Sequence, residues 1–139
     1  MHLHYSLHGL IILLTGMLGG IAFSSAIKSD NGREVAWRVV HSGGSMAGVA
    51  LIAIGIVVTQ FNLGGLLDQL IYYSFVGGTY LLVIGMIIAA VTGRRGLGRN
   101  EARRTKWGMT VYVMYGLGSI LSLAALVILI IACAYILLR

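Results

Sequence analysis

A histidine stands three residues past a basic one, inside a long apolar segment, in the run Arg38-Val-Val-His41-Ser42-Gly43-Gly44-Ser45-Met46-Ala47-Gly48. Imidazole is costly to bury in hydrocarbon without a partner, so a histidine there marks a functional position. Gly44, Ser45 and Gly48 follow three, four and seven positions on, which puts them on the same face of a helix as His41. One nitrogen ligand above a bed of very small residues is a seat for a flat metal macrocycle, with His41 on the metal. A competing use exists for the same pattern. Gly44-Ser-Met-Ala-Gly48 is a G-x-x-x-G motif, which commonly brings two membrane helices together, with His41 hydrogen-bonded to a neighbour.

Other residues could carry chemistry. His2, His4 and His8 cluster at the N-terminus, and His4 and His8 have the spacing of one helix face. Such clusters bind zinc or copper, although a terminal cluster with no carboxylate beside it is more often incidental. Tyr5, Tyr72, Tyr73 and Tyr135 fall where an interfacial aromatic belt is expected, whereas Tyr80 lies deeper. The single cysteine, Cys133, excludes an intrachain disulfide and reads as a small buried hydrophobe. No phosphate loop or zinc-protease motif occurs.

The elements that position these residues follow from composition. Of 139 residues, 58% are hydrophobic and 10% are charged, with a mean hydropathy of +0.93. Such a chain cannot hide its apolar surface in water, so it belongs in a bilayer. There are 20 glycines and no proline, as suits membrane helices that approach closely. Four uncharged stretches, roughly 5–27, 40–61, 70–91 and 109–138, can each cross a hydrocarbon core of about 30 Å. The first is too long for a signal peptide and lacks a basic start, so it reads as a retained helix. Backbone groups in lipid must be satisfied internally. The expected fold is therefore all-α, an integral membrane four-helix bundle forming a single domain over residues 1–139.

Charge orients the bundle. Loops 28–38 and 92–108 hold nine of the ten Lys and Arg residues. The positive-inside rule makes both loops cytoplasmic and puts both termini outside, in a bacterial inner membrane. This placement accounts for the net charge of +6 without invoking nucleic acid. Trp37 and Trp107 then serve as interfacial anchors. Tyr112, Tyr115 and Met86 fall near the depth of His41, while His8 should lie about 25 Å from it. Proton-coupled transporters and ion pumps usually need an acid within the membrane, and no charged residue interrupts the four apolar stretches.

At this depth the functional reading of His41 is a haem ligand, since neutral imidazole suits iron and haem is often held by one histidine. Arg38, Lys28, Arg94 and Arg95 lie at the membrane face where haem propionates would be met. They also serve as topology determinants, and the two roles are compatible.

The run His41-Ser42-Gly43 with Gly48 resembles the second membrane helix of the styrene oxide isomerase family. His8-Gly9-Leu10 is similar to that family's first helix, and Arg95-Gly96-Leu97 to its turn after helix three. The resemblance implies a four-helix protein that forms trimers and binds haem b near subunit interfaces. It implies His41 as the axial iron ligand, ferric iron acting as a Lewis acid on a lipophilic epoxide, and an aldehyde product formed without net redox change. This sequence also departs from the family pattern. Ala47 stands where the family has an asparagine, and a methyl group cannot donate a hydrogen bond. The polar stretch of the family's third helix is reduced here to Thr79 and Tyr80.

The expected site is therefore haem b on His41, with Gly44, Ser45, Gly48 and Arg38 around the cofactor. Tyr80, Tyr112 or Tyr115 would supply a catalytic polar group toward a lipophilic small molecule, in a homo-oligomer embedded in the bilayer. The alternative is a non-catalytic or electron-transfer haem b subunit of a larger complex, with Met86 or Met46 as second axial ligand.

Overall fold

The structure, a computed structural model, describes residues 2–29, 32–61, 65–94, 100 and 105–138. Four long helices follow one another: α1 (His2–Ser29), α2 (Glu34–Phe61), α3 (Gly65–Thr92) and α4 (Lys106–Leu137). Among the described residues there is no strand. All four are long and apolar enough to cross a membrane, so the chain is an integral membrane protein of the all-α class.

Each helix runs past the apolar stretch that predicts it. A 28-residue helix such as α1 is about 42 Å long, enough for the hydrocarbon core and both headgroup regions. Lys28, Glu34, Arg38, Asp68 and Lys106 therefore lie within helical ends rather than in loops. The stops are local. Gly93 adopts φ +70 directly after α3 and donates its N–H to the Ala89 carbonyl, the left-handed cap that glycine allows. Thr105 caps α4, its hydroxyl accepting the Gly108 N–H at 3.0 Å.

The helices pack as two antiparallel pairs. Along α1 and α2, Gly9 meets Gly48 and Gly16 meets Gly44. A Cβ at Gly48 would lie 2.6 Å from the Leu13 nitrogen, and one at Gly44 would lie 2.9 Å from the Gly16 Cα. Between α3 and α4, Gly78 and Gly118 play the same part, each leaving room for the other's carbonyl oxygen. Only residues without side chains let backbones come this close. The pairs join mainly through α2 and α3, over a core that includes Ile12, Leu51, Val58, Ile71, Val76 and Val83. Near the basic end, Arg33 donates to the Val91 carbonyl at 2.6 Å and ties the α1–α2 connection to the end of α3.

Candidate functional site

His41 lies in the seam between α1 and α2, partly exposed. Its Nδ1 is 2.9 Å from the carbonyl oxygen of Gly16. A carbonyl can only accept, so Nδ1 carries the proton and the neutral ring keeps Nε2 as its free lone pair. The ring lies over Gly20, where a Cβ would sit 2.9 Å from Nδ1 and 3.1 Å from Cε1. Glycine at position 20 clears the space for the imidazole, and Gly16 fixes its orientation. A metal-binding histidine typically has its second nitrogen held in this way, by a carboxylate or a backbone carbonyl.

Past Gly20 runs an open groove of about 470 Å³ on the outer side of α1, lined by Met17, Gly20, Ile21, Ser24, Ser25 and Lys28. Lys28 brings a cation to its basic end. Arg38 and Arg94 are exposed near the same end. Arg95, and with it the Arg95-Gly96-Leu97 turn, lies outside the described residues.

The small residues beside His41 have another occupation than the one expected from their spacing. Gly44 and Gly48 are buried against α1, facing Gly16 and the Gly9–Leu13 turn, and the Ser45 backbone abuts Gly16. Their faces are filled by another helix, leaving no open bed there for a macrocycle. The Ser45 hydroxyl is buried without a hydrogen-bond partner. Of the expected site, only His41 and the basic residues remain open to a bound group.

The tyrosines do not converge on His41 within one chain. Tyr80 reaches to α1, where its hydroxyl is 3.1 Å from Nδ1 of His8, the two rings standing edge to face at 5.6 Å. Tyr112 lines a shallow groove on the outside of α4 with Gly116 and Ile120. Tyr115 packs over Gly85 of α3, where a Cβ would lie 3.2 Å from its ring. It lines a second cleft, of about 440 Å³, where α2, α3 and α4 meet, with Val35, Ala36, Val39, Leu82, Met86, Ala89 and Ser119.

That cleft and His41 face different ways. Two residues along a helix turn through about 200°, so Gly43 looks toward α3 while His41 looks toward α1. The Met86 sulfur fills the space at Gly43, 2.9 Å from where a Cβ would be. Met86 and His41 of one chain are thus on opposite sides of α2, and Met46 is an exposed residue. Neither can complete an axial pair with His41 of the same chain.

His8 is likewise too far away to share a metal with His41. It is eight residues from Gly16 and twelve from Gly20, about 12 Å and about 18 Å along α1. The separation is shorter than the apolar boundaries suggest, because the register sets Gly9 beside Gly48. Instead His8 joins an aromatic cluster. Tyr72 touches the rings of His4, Tyr5, His8 and Tyr73 at 5.0–6.4 Å. The side chain of His2 lies outside the described residues. No group of three or more His, Cys, Asp or Glu that could hold a metal ion occurs among the described residues.

These features define a helical integral membrane protein with one oriented imidazole at the edge of a helix pair and an apolar cleft on the other side. The chain belongs to the styrene oxide isomerase family, whose model matches residues 1–134. No curated protein matches the chain, and no solved structure does.

Proposed function

We propose that this protein binds haem b through Nε2 of His41 and isomerises a lipophilic epoxide to an aldehyde. The observation that carries the reading is the hydrogen bond from His41 Nδ1–H to the Gly16 carbonyl. It leaves a single nitrogen donor of fixed orientation, in a member of a family named for epoxide isomerisation. One imidazole without further ligands suits a metal that brings its own equatorial nitrogens, as haem iron does. The donor set therefore fits the group.

When bound, haem b supplies a Lewis-acidic ferric iron that polarises the epoxide oxygen, and C–O cleavage with a 1,2-shift gives the isomeric aldehyde without net redox change. The residues of the chain do the rest. Gly16 holds the His41 tautomer and raises the basicity of its free nitrogen. Lys28, Arg38 and Arg94 offer charges for the propionates at the basic end. The groove beside Gly20 offers the open face, with Met17 and Ile21 as its apolar side chains and Ser24, Ser25 and Lys28 toward its basic end.

His41 and Tyr115 lie on different faces, so a tyrosine reaches the cofactor only if a second copy of the chain brings one. The working unit is accordingly a homo-oligomer, a trimer by family resemblance. Loops 28–38 and 92–108 lie on the cytoplasmic side of a bacterial inner membrane, with both termini outside.

The test is spectroscopic and enzymatic. Protein purified from cells supplied with haem is expected to show a Soret band with five-coordinate, high-spin ferric iron, and to convert styrene oxide to its aldehyde isomer. A colourless protein after ample haem supply overturns the cofactor assignment. Six-coordinate, low-spin iron without isomerase activity would favour the electron-transfer subunit, with the second axial ligand supplied by another chain.

A further inference from the structure

Two open grooves lie on outer faces of the bundle, and their ends differ. The groove on α4, which includes Tyr112, Gly116 and Ile120, has no charged residue in its lining. The groove on α1 runs from Met17 past Gly20 and Ile21 to Ser24, Ser25 and Lys28. Met17, Ile21, Ser24 and Lys28 recur every three or four residues, so they form one stripe along the helix.

Polarity changes along this stripe. Met17 and Ile21 are exposed apolar side chains. Gly20 has no side chain and leaves a trough beside them. Ser24, Ser25 and Lys28 are exposed and polar. Eleven residues separate Met17 from Lys28, about 16 Å along α1. Half of a hydrocarbon core of about 30 Å is about 15 Å. The trough thus matches the depth of one leaflet, with its hydroxyls and its cation at the headgroup end. Arg38 and Arg94 are exposed near that same end.

We propose that the α1 groove seats an anionic glycerophospholipid of the leaflet at the basic end, phosphatidylglycerol in the simplest case. Its phosphate accepts from the Lys28 ammonium and the hydroxyls of Ser24 and Ser25, and one acyl chain lies over Gly20 beside Met17 and Ile21. Lysine offers only donors and a positive charge, which an anion satisfies. A zwitterionic lipid carries its own cation beside the phosphate and gains less from Lys28. Haem shares this chemistry, an apolar body with anionic groups at one edge, and under the proposed function it uses the same groove. An acyl chain and a macrocycle cannot occupy it together, so the lipid is the occupant of the haem-free protein. The lipid seat does not depend on the haem reading, because His41 is not among the residues that line it.

Native mass spectrometry of the full-length, delipidated protein tests this, with phosphatidylglycerol and phosphatidylcholine of identical acyl chains as probes. Haem-free His41→Ala protein should bind one phosphatidylglycerol per chain, at least about fivefold more tightly than phosphatidylcholine, as one cation at an anionic surface implies. In that background, Lys28→Gln should abolish the preference and Lys28→Arg should keep it. Ser24→Trp should weaken both lipids by blocking the trough. Lys106→Gln removes a cation at the same end of another helix and should leave the preference intact. Equal binding of the two lipids, a preference that survives Lys28→Gln, or an equal loss in Lys106→Gln overturns the proposal. So does an oligomer that takes up no lipid, since a second copy would then cover the groove. A wild type that binds phosphatidylglycerol but no haem would overturn the haem reading alone.

Discussion

His41 of α2 and His8 of α1 are held by different kinds of partner, and the difference separates the proposed ligand from a structural residue. His41 gives its Nδ1 proton to a backbone carbonyl, which cannot donate in return, so one tautomer is fixed. His8 faces the hydroxyl of Tyr80, which can donate or accept, so both tautomers are served. His41 borders an open groove through Gly20. His8 lies among Tyr72 and Tyr80, whose rings take the space around it. A ring with one free nitrogen beside open space is ready for a metal. A ring enclosed by aromatic side chains ties helices together.

The largest expected effect breaks this comparison if it fails. His41→Ala should abolish the Soret band, while His8→Ala should leave its position and intensity close to wild type, both read by absorption spectroscopy on equal protein. Loss of haem in both variants, or in His8→Ala alone, would make the histidine of the aromatic cluster the ligand.

Much of the fold was legible in the sequence, because a hydrocarbon core of fixed thickness demands long apolar runs and the charges fall between them. The location of His41 was legible for the same reason. The job of Gly44, Ser45 and Gly48 was not. A glycine announces that something comes close without saying what, and G-x-x-x-G serves an approaching helix as well as it would serve a ring. The structure puts α1 there. The pairing of His8 with Tyr80 left no local trace either, since the two are 72 positions apart on helices that are not neighbours in the chain. Tyr112 and Tyr115 looked equivalent by depth. Gly85 separates them, because its bare Cα lets only the Tyr115 ring settle against α3.

A smaller effect sharpens the comparison from the side of the backbone. Gly16 supplies the carbonyl to His41 and the close contact to Gly44 and Ser45. Gly16→Ala puts a methyl group against the Ser45 backbone, so α1 and α2 must separate. Overpacking of this kind costs about 1–3 kcal/mol, to be read as a lowered unfolding midpoint in detergent. The same separation moves the Gly16 carbonyl from His41, so haem occupancy should fall as well. Gly118→Ala overpacks the other pair, at Gly78, and should destabilise by a similar amount while leaving haem occupancy near wild type. Equal loss of haem in both would mean that general loosening, rather than the Gly16–His41 contact, controls the cofactor.

The smallest effect belongs to the other histidine. Tyr80→Phe keeps the ring against His8 and removes only the hydroxyl. Hydrogen bonds between membrane helices are worth on average about 0.6 kcal/mol, so the unfolding midpoint should drop slightly. The haem spectrum should not move, since Tyr80 bonds to α1 near the far end of the seam from His41. Tyr80 was a candidate catalytic group on sequence grounds, and turnover decides between that role and the structural one. If its hydroxyl serves only His8, Tyr80→Phe retains wild-type kcat for epoxide isomerisation. If kcat falls tenfold or more while stability and spectrum hold, the hydroxyl works on substrate, and a second copy of the chain must carry it to the iron. Tyr80→Phe thus tests whether the aromatic cluster is separate from the chemistry of His41 or a neighbouring subunit's contribution to it.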